Sequence, residues 1–256
     1  FGVPHRKTEH ALKYYLHGIT MLKKKLEEFT GVAITDSKLK ESIDLCNRQR
    51  ELLREISLMR KSKLPPISSK DFVALDHGCY LGDKKVMVEV LESVLKELKE
   101  QTPSLVEGPR VLLTGSTLAY GDSKVLDLIA ESGGVVVIEE FAEGIKPYWD
   151  VVHPDGDLMG ALADFYFMKK VGPAWIREAR ERFDFLIKLA KDFQADGVIW
   201  YQLMYRDSYD FESAYFEDDL KKKTGLSMLK IESDYDASET GPFRTRIETF
   251  IETIRR

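Results

Sequence analysis

The sequence predicts an α/β protein in which a mostly helical portion precedes a parallel sheet of four or more strands, with helices on both faces. Three observations support this prediction. Apolar residues recur at helical spacing through most of residues 1–105. Beyond them, the apolar runs 111–113 and 135–138 show no polar alternation, which is typical of strands covered on both faces. Helical stretches lie between such runs, and this alternation favours a parallel sheet with right-handed crossovers.

The first part of the chain, residues 1 to about 105, is predicted to be a mostly helical segment. Its periodicity predicts helices over 5–29, about 36–60, a shorter stretch that begins at Ser68, and 83–100. The segment 76–83 contains two glycines and is predicted to be a loop between helices. The proline-bounded segment 103–109 is the candidate boundary to an α/β domain over 106–256.

Beyond that boundary the sequence predicts a flavodoxin- or Rossmann-like sheet. The strands are expected at 110–114, 134–139, 197–203 and 227–232, and the helices notably at 172–194, 208–224 and 241–255. The 141–171 insertion exceeds an ordinary loop in length. We therefore expect it to cover an active site.

Composition excludes several classes of protein. The chain has 256 residues, of which 43% are hydrophobic and 32% charged, as in ordinary globular proteins. A net charge of −5 gives no basic field for nucleic acid. No apolar stretch approaches the roughly 20 residues that a bilayer span needs, and two cysteines do not make a disulfide scaffold. We expect a cytoplasmic protein with neither a nucleic-acid nor a membrane partner.

Polar residues follow every predicted strand. They are Ser116 and Thr117 after the first, Glu139 and Glu140 after the second, Gln202, Tyr205, Arg206 and Asp207 after the third, and Glu232, Ser233 and Asp234 after the fourth. Open parallel sheets place their sites at this edge, so the set as a whole predicts a site there. Each residue taken alone is better explained as a helix cap or a solvated strand end.

Two smaller features are also candidates. The loop from Gly115 to Gly121 is predicted to offer backbone N–H groups to an anion, although it matches no standard nucleotide motif. Cys79 lies beside Gly78 in the predicted loop, where the backbone can approach a bulky ligand, and we slightly favour a functional role over a buried thiol. Cys46 lies on the apolar face of a helix, where core packing is favoured. The two cysteines are 33 positions apart, which is no iron–sulfur spacing in itself.

Six short segments carry a resemblance to a known family. They are 112–117 (LLTGST), 133–140 (GGVVVIEE), 46–50 (CNRQR), 65–68 (PPIS), 203–210 (LMYRDSYD) and 244–251 (RTRIETFI). Together they resemble the 2-hydroxyacyl-CoA dehydratase component D family, which includes benzoyl-CoA reductase subunits and double-cubane cluster proteins. The resemblance covers essentially the whole chain. It corresponds to the C-terminal part of a usual member.

The resemblance implies an iron–sulfur enzyme component, either a low-potential reductase or a dehydratase that removes water from a 2-hydroxyacyl-CoA. Its cluster, [4Fe–4S] or double-cubane [8Fe–9S], would receive electrons from a separate ATP-hydrolysing iron–sulfur activator. The implied partner is a homologous subunit in a homo- or heterodimer, and the implied substrate is a small molecule or an acyl-CoA. The implied metal ligands are Cys79 first and Cys46 second. Gly78, Gly115 and Thr117 complete the implied cofactor site, and the implied catalytic residues are Ser116, Glu139, Glu140 and Arg206.

The chain departs from the family pattern in two places. An N-terminal α/β domain with its own cysteine motif is not part of it, and no cysteine stands near Tyr205 and Arg206. The second departure favours the double-cubane or reductase branch. Two thiolates cannot fill a four-ligand site, so we expect this chain alone to be inactive and without a cluster. Two other interpretations stay open: a cluster-free binding or assembly subunit with the same fold, and a nucleotide-binding enzyme that uses the Gly115–Gly121 loop.

Overall fold

The structure is a computed structural model that describes residues 2–101, 107–154, 156–172, 174, 180–236 and 240–255. Its first part contains the helices α1 (Glu9–Thr30), α2 (Asp36–Met59), α3 (Ser69–Leu81) and α4 (Lys84–Glu100). Each begins where a side-chain oxygen caps the first turn, from Thr8, Thr35, Ser68 and Asp83 in that order. The prediction of a helical first portion is confirmed.

The predicted loop over 76–83 is wrong, because residues up to Leu81 form the last turns of α3. Glycine costs about 1 kcal/mol inside a helix, and tertiary packing outweighs that penalty here. Gly78 lies against the Met87 side chain, and Cys79 is buried in the core beside it. Only Gly82 and the capping Asp83 connect α3 to α4.

The second part of the chain forms the predicted parallel sheet. Its strands are β1 (Arg110–Gly115), β2 (Val135–Glu140), β3 (Gly197–Leu203) and β4 (Ser227–Ser233), in the spatial order β2-β1-β3-β4. The helices are α5 (Lys124–Glu131), α6 (Leu158–Ala163), α7 (Arg180–Asp192), α8 (Asp207–Thr224) and α9 (Thr240–Ile254), and a π-helical turn (Asp164–Lys169) follows α6. Residues 173 and 175–179 of the predicted helix 172–194 lie outside the described residues.

Helices cover both faces of the sheet, as the sequence predicts. In β1, Leu112 joins the core cluster that contains residues of α2, α3, α4, α7 and α8. Its neighbours Val111 and Leu113 belong to the opposite cluster, with residues of α5 and α9. Successive strand residues point to opposite faces, so the apolar runs serve two cores at once. The division into segments 1–105 and 106–256 stays a prediction, since α2, α3 and α4 share a core with the sheet.

The crevice between β1 and β3 is the switch point of the strand order, where doubly wound sheets bind ligands. In this chain it is closed by backbone contacts. Gly115 has φ of +143°, and a Cβ atom there would stand 1.7 Å from the carbonyl oxygen of Tyr201. The next residue, Ser116, donates its N–H to that oxygen over 3.1 Å. Its Oγ accepts the N–H of Leu203, also at 3.1 Å.

Because the backbone at Gly115 has no room for a side chain, we expect Gly115→Ala to lower the free energy of unfolding by at least about 3 kcal/mol. Urea denaturation monitored by circular dichroism measures this change. Gly121→Ala is the matched control, since Gly121 also has positive φ but open space around it. It should lose only about 1 kcal/mol. Equal losses in both variants would contradict the close approach of β1 and β3.

Candidate functional site

A cavity of about 530 Å³ lies between the helical part of the chain and the 141–171 insertion. Both cysteines line it. Its other wall residues include Gln49 and Arg50 from α2, Asp76 from α3, Lys84 from α4, and Lys146, Tyr166 and Lys170 from the insertion. The fold thus brings Cys46 and Cys79 to one space although they are 33 positions apart. Cys46 therefore lines the cavity. From the sequence, its position on the apolar face of a helix favours packing in the core.

The thiol form of Cys79 is favoured over the thiolate. Burial and the Asp76 carboxyl together raise its pKa to about 12, and Lys84 acts in the opposite direction. The Lys84 ammonium donates a hydrogen bond to the backbone carbonyl of Cys79, which fixes the end of α3. Cys46 is half-buried, and both cysteines are free thiols. A metal ion that reached Cys79 would have to displace its proton, because the thiolate is the form that binds metals.

Two buried polar groups face the same cavity. Asp76 is 3% exposed, and burial raises its pKa well above the usual range, with Glu139 and Glu143 adding to the effect and Arg60 opposing it. The protonated form of this carboxyl, which can donate a hydrogen bond, is thus favoured up to a higher pH than usual. Gln49 is 9% exposed, and its Oε1 is buried without a hydrogen-bond partner among the described residues. Buried polar atoms are rarely left unpaired, so this side chain points to a ligand.

The cavity wall carries more positive than negative charge. Four cationic side chains, Arg50, Lys84, Lys146 and Lys170, line it, against one acidic side chain, Asp76. Burial lowers the pKa of Lys170 to about 8, with Arg50 contributing. Burial also lowers the pKa of Lys146, although that ammonium pairs with Glu140 at 2.8 Å. This arrangement favours an anionic guest, since a negative charge would relieve repulsion between the cations.

Two residues of the CNRQR segment form hydrogen bonds to the insertion at the wall of the cavity. Asn47 donates from Nδ2 to the carbonyl of Val152 at 2.7 Å and accepts the N–H of the same residue at 2.9 Å. Arg50 donates to the carbonyl of Pro147 at 3.2 Å and to the Tyr166 hydroxyl at 2.6 Å. The insertion thus forms one wall of the cavity, and its role as the cover of an active site stays a prediction.

The two predicted catalytic carboxylates are buried in ion pairs. Glu139 forms a two-point contact with Arg60, at 2.5 and 2.8 Å. Burial raises the pKa of Glu140, but Arg182 and Lys146 outweigh burial and bring it to about 2. The Arg182 guanidinium also binds Glu212, in a fully buried cluster. Glu140 reaches the cavity only through Lys146, and catalytic roles for both carboxylates stay predictions.

In the small-residue loop after β1, two hydrogen-bond donors already bind another side chain of this chain. The Glu143 carboxylate accepts the hydroxyl of Thr117 and, at 2.8 Å, the N–H of Leu118. A carboxylate thus already holds the position that the nucleotide-binding interpretation reserves for a phosphate. Gly115, Ser116 and Thr117 do not belong to the cavity lining, so the structure does not bring them to the cysteines.

The remaining predicted residues have different surroundings. Arg206 is exposed at the start of α8, after Tyr205 with φ of +64°, and does not line the cavity. Gly78 lies in α3 against Met87 rather than in a loop. The sequence interpretation missed Gln49, Asp76, Lys146, Tyr166 and Lys170. For the first two a signal existed, because each stands three positions from a cysteine and therefore shares its helix face.

The chain is similar to known proteins along most of its length. A family model described as 2-hydroxyglutaryl-CoA dehydratase, D-component, matches residues 1–254. The chain belongs to this family. The Escherichia coli protein YjiM, named as a dehydratase subunit, is 29% identical over 91% of the chain and 61% of its own length.

Two further relatives name more specific enzymes. The (R)-phenyllactyl-CoA dehydratase beta subunit of Clostridium sporogenes is 24% identical over 97% of the chain and 66% of its own length. A benzoyl-CoA reductase subunit of Thauera aromatica is 20% identical over 94% and 63%. The chain thus spans less than two thirds of the length of these relatives.

The donor atoms fit an iron–sulfur cluster only in part. The described residues bring two thiols to one cavity, and nowhere do they gather three histidine, cysteine or carboxylate side chains that could hold a metal ion. A cubane held by cysteines needs four thiolates, so any further ligands would come from outside the described part of the chain.

None of the helices in the described part of the chain has the length and apolar character that a bilayer span requires.

The Asn47 contacts generate a test of the cover. We expect Asn47→Ala to raise the rate at which Cys79 reacts with a thiol reagent by about tenfold or more, because two hydrogen bonds to Val152 are lost. Mass spectrometry of the labelled peptide gives the rate. Arg48→Ala is the control, because Arg48 directly follows Asn47 in the chain and its side chain pairs with Glu92 on the surface. The same rate in both variants would show that Asn47 does not hold the cover.

The Glu140 ion pairs generate a pH-dependent stability difference. Their contribution is fully present above pH 4.5, the ordinary pKa of this carboxyl, and is lost as the pH falls towards about 2. We expect Glu140→Gln to lower the free energy of unfolding at pH 7 by roughly 3 kcal/mol, because Arg182 and Lys146 lose a buried partner. Chemical denaturation from pH 7 to pH 3 should show this difference shrinking. Glu232→Gln, at an exposed strand end, should change little at any pH, and a pH-independent loss in Glu140→Gln would be the contrary result.

Proposed function

We propose that this chain is part of a subunit of a low-potential 2-hydroxyacyl-CoA dehydratase or benzoyl-CoA reductase system, in which Cys46 and Cys79 supply thiolate ligands to an iron–sulfur cluster. The observation that carries the proposal is that both thiols line one cavity with cationic walls. Family membership supports the enzyme class. The activity of the whole protein belongs to this proposal, because the relatives are longer than the chain.

The charges around the two thiols suit this role. A thiolate-bound cluster supplies one-electron transfer, with a potential that depends on nearby charge, hydrogen bonds and exposure to water. Lys84 opposes the burial that raises the pKa of Cys79, and so favours the thiolate form of that residue. Asn47 and Arg50 hold the insertion at the wall of the cavity. Both effects come from residues of this chain alone.

The proposal includes partners. The relatives from Clostridium sporogenes and Thauera aromatica are named as subunits, which supports a second, homologous subunit for this protein. That subunit, or parts of this protein outside the described residues, would supply the missing ligands. An ATP-hydrolysing activator would be the electron donor and an acyl-CoA the substrate, with either dehydration or reduction as the outcome. Glu139, Glu140, Ser116 and Arg206 stay candidates for catalytic roles only within this proposal.

Iron and acid-labile sulfide per chain test this proposal directly. In the natural full-length protein, purified anaerobically with its partner subunit, we expect about four irons for a cubane or about eight for a double cubane. Cys46→Ser and Cys79→Ser should each lower the iron content by at least half. Met87→Leu is the control, since it changes the packing beside Gly78 without removing a thiol. Protein without iron in the wild type, or cysteine variants with full iron content, would refute the ligand role.

A second candidate is a cluster-free binding or assembly subunit. It is favoured by the incomplete donor set among the described residues and by the raised pKa of Cys79. In that case Cys46→Ser and Cys79→Ser would leave both partner binding and stability nearly unchanged. Copurification of the partner with each variant, together with thermal melting, separates this outcome from the ligand role.

A further inference from the structure

The C-terminal half of α1 carries a row of exposed apolar side chains. Leu22, Leu26 and Phe29 are 47%, 44% and 89% exposed, and their spacing of four and three residues puts them on one face of the helix. Ala11 is the only buried residue of α1, although the helix has 22 residues. An apolar row of this kind is unfavourable in water and is typical of an interaction surface.

The row continues a face that is covered nearer the start of the helix. Seven residues before Leu22, the Tyr15 ring stacks on the Phe167 ring at a centroid distance of 5.2 Å. There α1 packs against α6 and the π-helical turn (Asp164–Lys169). At the other end of the helix Phe29 is almost fully exposed, so the described residues cover the row at one end only.

A small apolar groove lies beside the row. Its volume is about 240 Å³, and its walls include Leu22 and Leu26 of α1, Leu39 of α2 and Leu162 of α6. An α-helix about 10 Å wide that rises 5.4 Å per turn fills roughly 400 Å³ for each turn, so this space is too small for a helix. A single large side chain fits it. The chain presents one in Phe29, which does not line its own groove.

The charges along α1 are complementary to those of a second, antiparallel copy of the same helix. A lysine run at 23–25 precedes two glutamates at 27 and 28. If Phe29 of one copy lies opposite Leu22 of the other, the lysine run of each copy lies opposite the glutamates of the other. A parallel pair in register would place lysine against lysine. The antiparallel pair therefore combines apolar and ionic contacts at one surface, and two-fold symmetry repeats each of them.

We propose that the C-terminal half of α1 is the contact surface for a second copy of this chain. The two helices are antiparallel, and Phe29 of each copy enters the groove of the other. A two-fold contact uses the same patch on both copies, and this patch contains both the projecting side chain and the groove that receives it. The inference goes beyond the proposed function and does not depend on it.

The size of the surface sets the expected affinity. With its 22 residues α1 is about 33 Å long and about 10 Å wide, which gives roughly 330 Å² on each copy. Standard interfaces bury about 800 Å² on each partner, and smaller ones belong to weaker complexes. We therefore expect a reversible dimer with a dissociation constant of micromolar order.

Sedimentation equilibrium of the natural full-length protein between about 1 and 100 µM tests the inference. The wild type should shift from monomer to dimer over this range. Phe29→Asp should raise the dissociation constant at least about a hundredfold, because two phenylalanine side chains lose their burial. Its fold should survive, since Phe29 is exposed within one copy. Val86→Asp is the matched control, because it places the same charge at an exposed apolar residue of α4, and it should leave the dimer unchanged.

Charge reversal identifies the partner as a second copy. One variant carries Lys23→Glu, Lys24→Glu and Lys25→Glu together, and the other carries Glu27→Lys and Glu28→Lys. Each variant alone should dimerise at least about tenfold more weakly than the wild type, because like charges then face each other. An equimolar mixture should recover dimers of nearly wild-type affinity, since the charges of the two variants are complementary.

Three results would overturn the inference. A wild type that stays monomeric at the highest concentration would show that another part of the natural protein covers α1. A dimer that persists in Phe29→Asp would form through a different surface. A mixture of the two charge variants that associates no better than its components would exclude the antiparallel pairing of α1.

Discussion

The structure depends on the neutralisation of two adjacent carboxylates at the buried end of β2. Glu139 and Glu140 are almost fully enclosed, and burying one such charge without a partner is strongly unfavourable. Arg60, at the C-terminal end of α2, neutralises the first, and Arg182 from α7 neutralises the second together with Lys146 from the insertion. These pairs hold α2, α7 and the insertion against one strand end, and α2 and the insertion both line the cavity.

The cavity with the two cysteines lies away from the usual ligand position of a doubly wound sheet. Gly115 of β1 and Tyr201 of β3 are in close backbone contact at the point where the strand order reverses. In the loop that follows β1, the N–H of Leu118 already donates to the Glu143 carboxylate. The cysteine cavity is lined by residues of α2, α3, α4 and the insertion. There Cys46 with Gln49 and Asp76 with Cys79 form two pairs, each three positions apart on one helix face, that line the same cavity.

Much of the fold could be predicted from the sequence, because apolar runs and helical periodicity are local signals. The loop prediction over 76–83 failed since Gly78 carries a local turn signal that packing against Met87 overrides. The sequence shows the polar residues at the strand ends. It does not show the partners of the two carboxylates, because these lie on distant helices and no local pattern pairs Glu139 with Arg60. The cavity could not be predicted from the sequence either. Its cysteines come together only through the packing of α2 against α3 and the sheet.

The account depends on both cysteines acting on one ligand in this cavity. The most direct measurement is the EPR spectrum of the dithionite-reduced, anaerobically purified full-length protein, recorded for the wild type and for each cysteine-to-serine variant. The account predicts an iron–sulfur signal that is altered in shape or lost in Cys46→Ser and in Cys79→Ser alike, because both residues bind the same cluster. A signal that stays unchanged in both variants, or that is absent from the wild type, would contradict it.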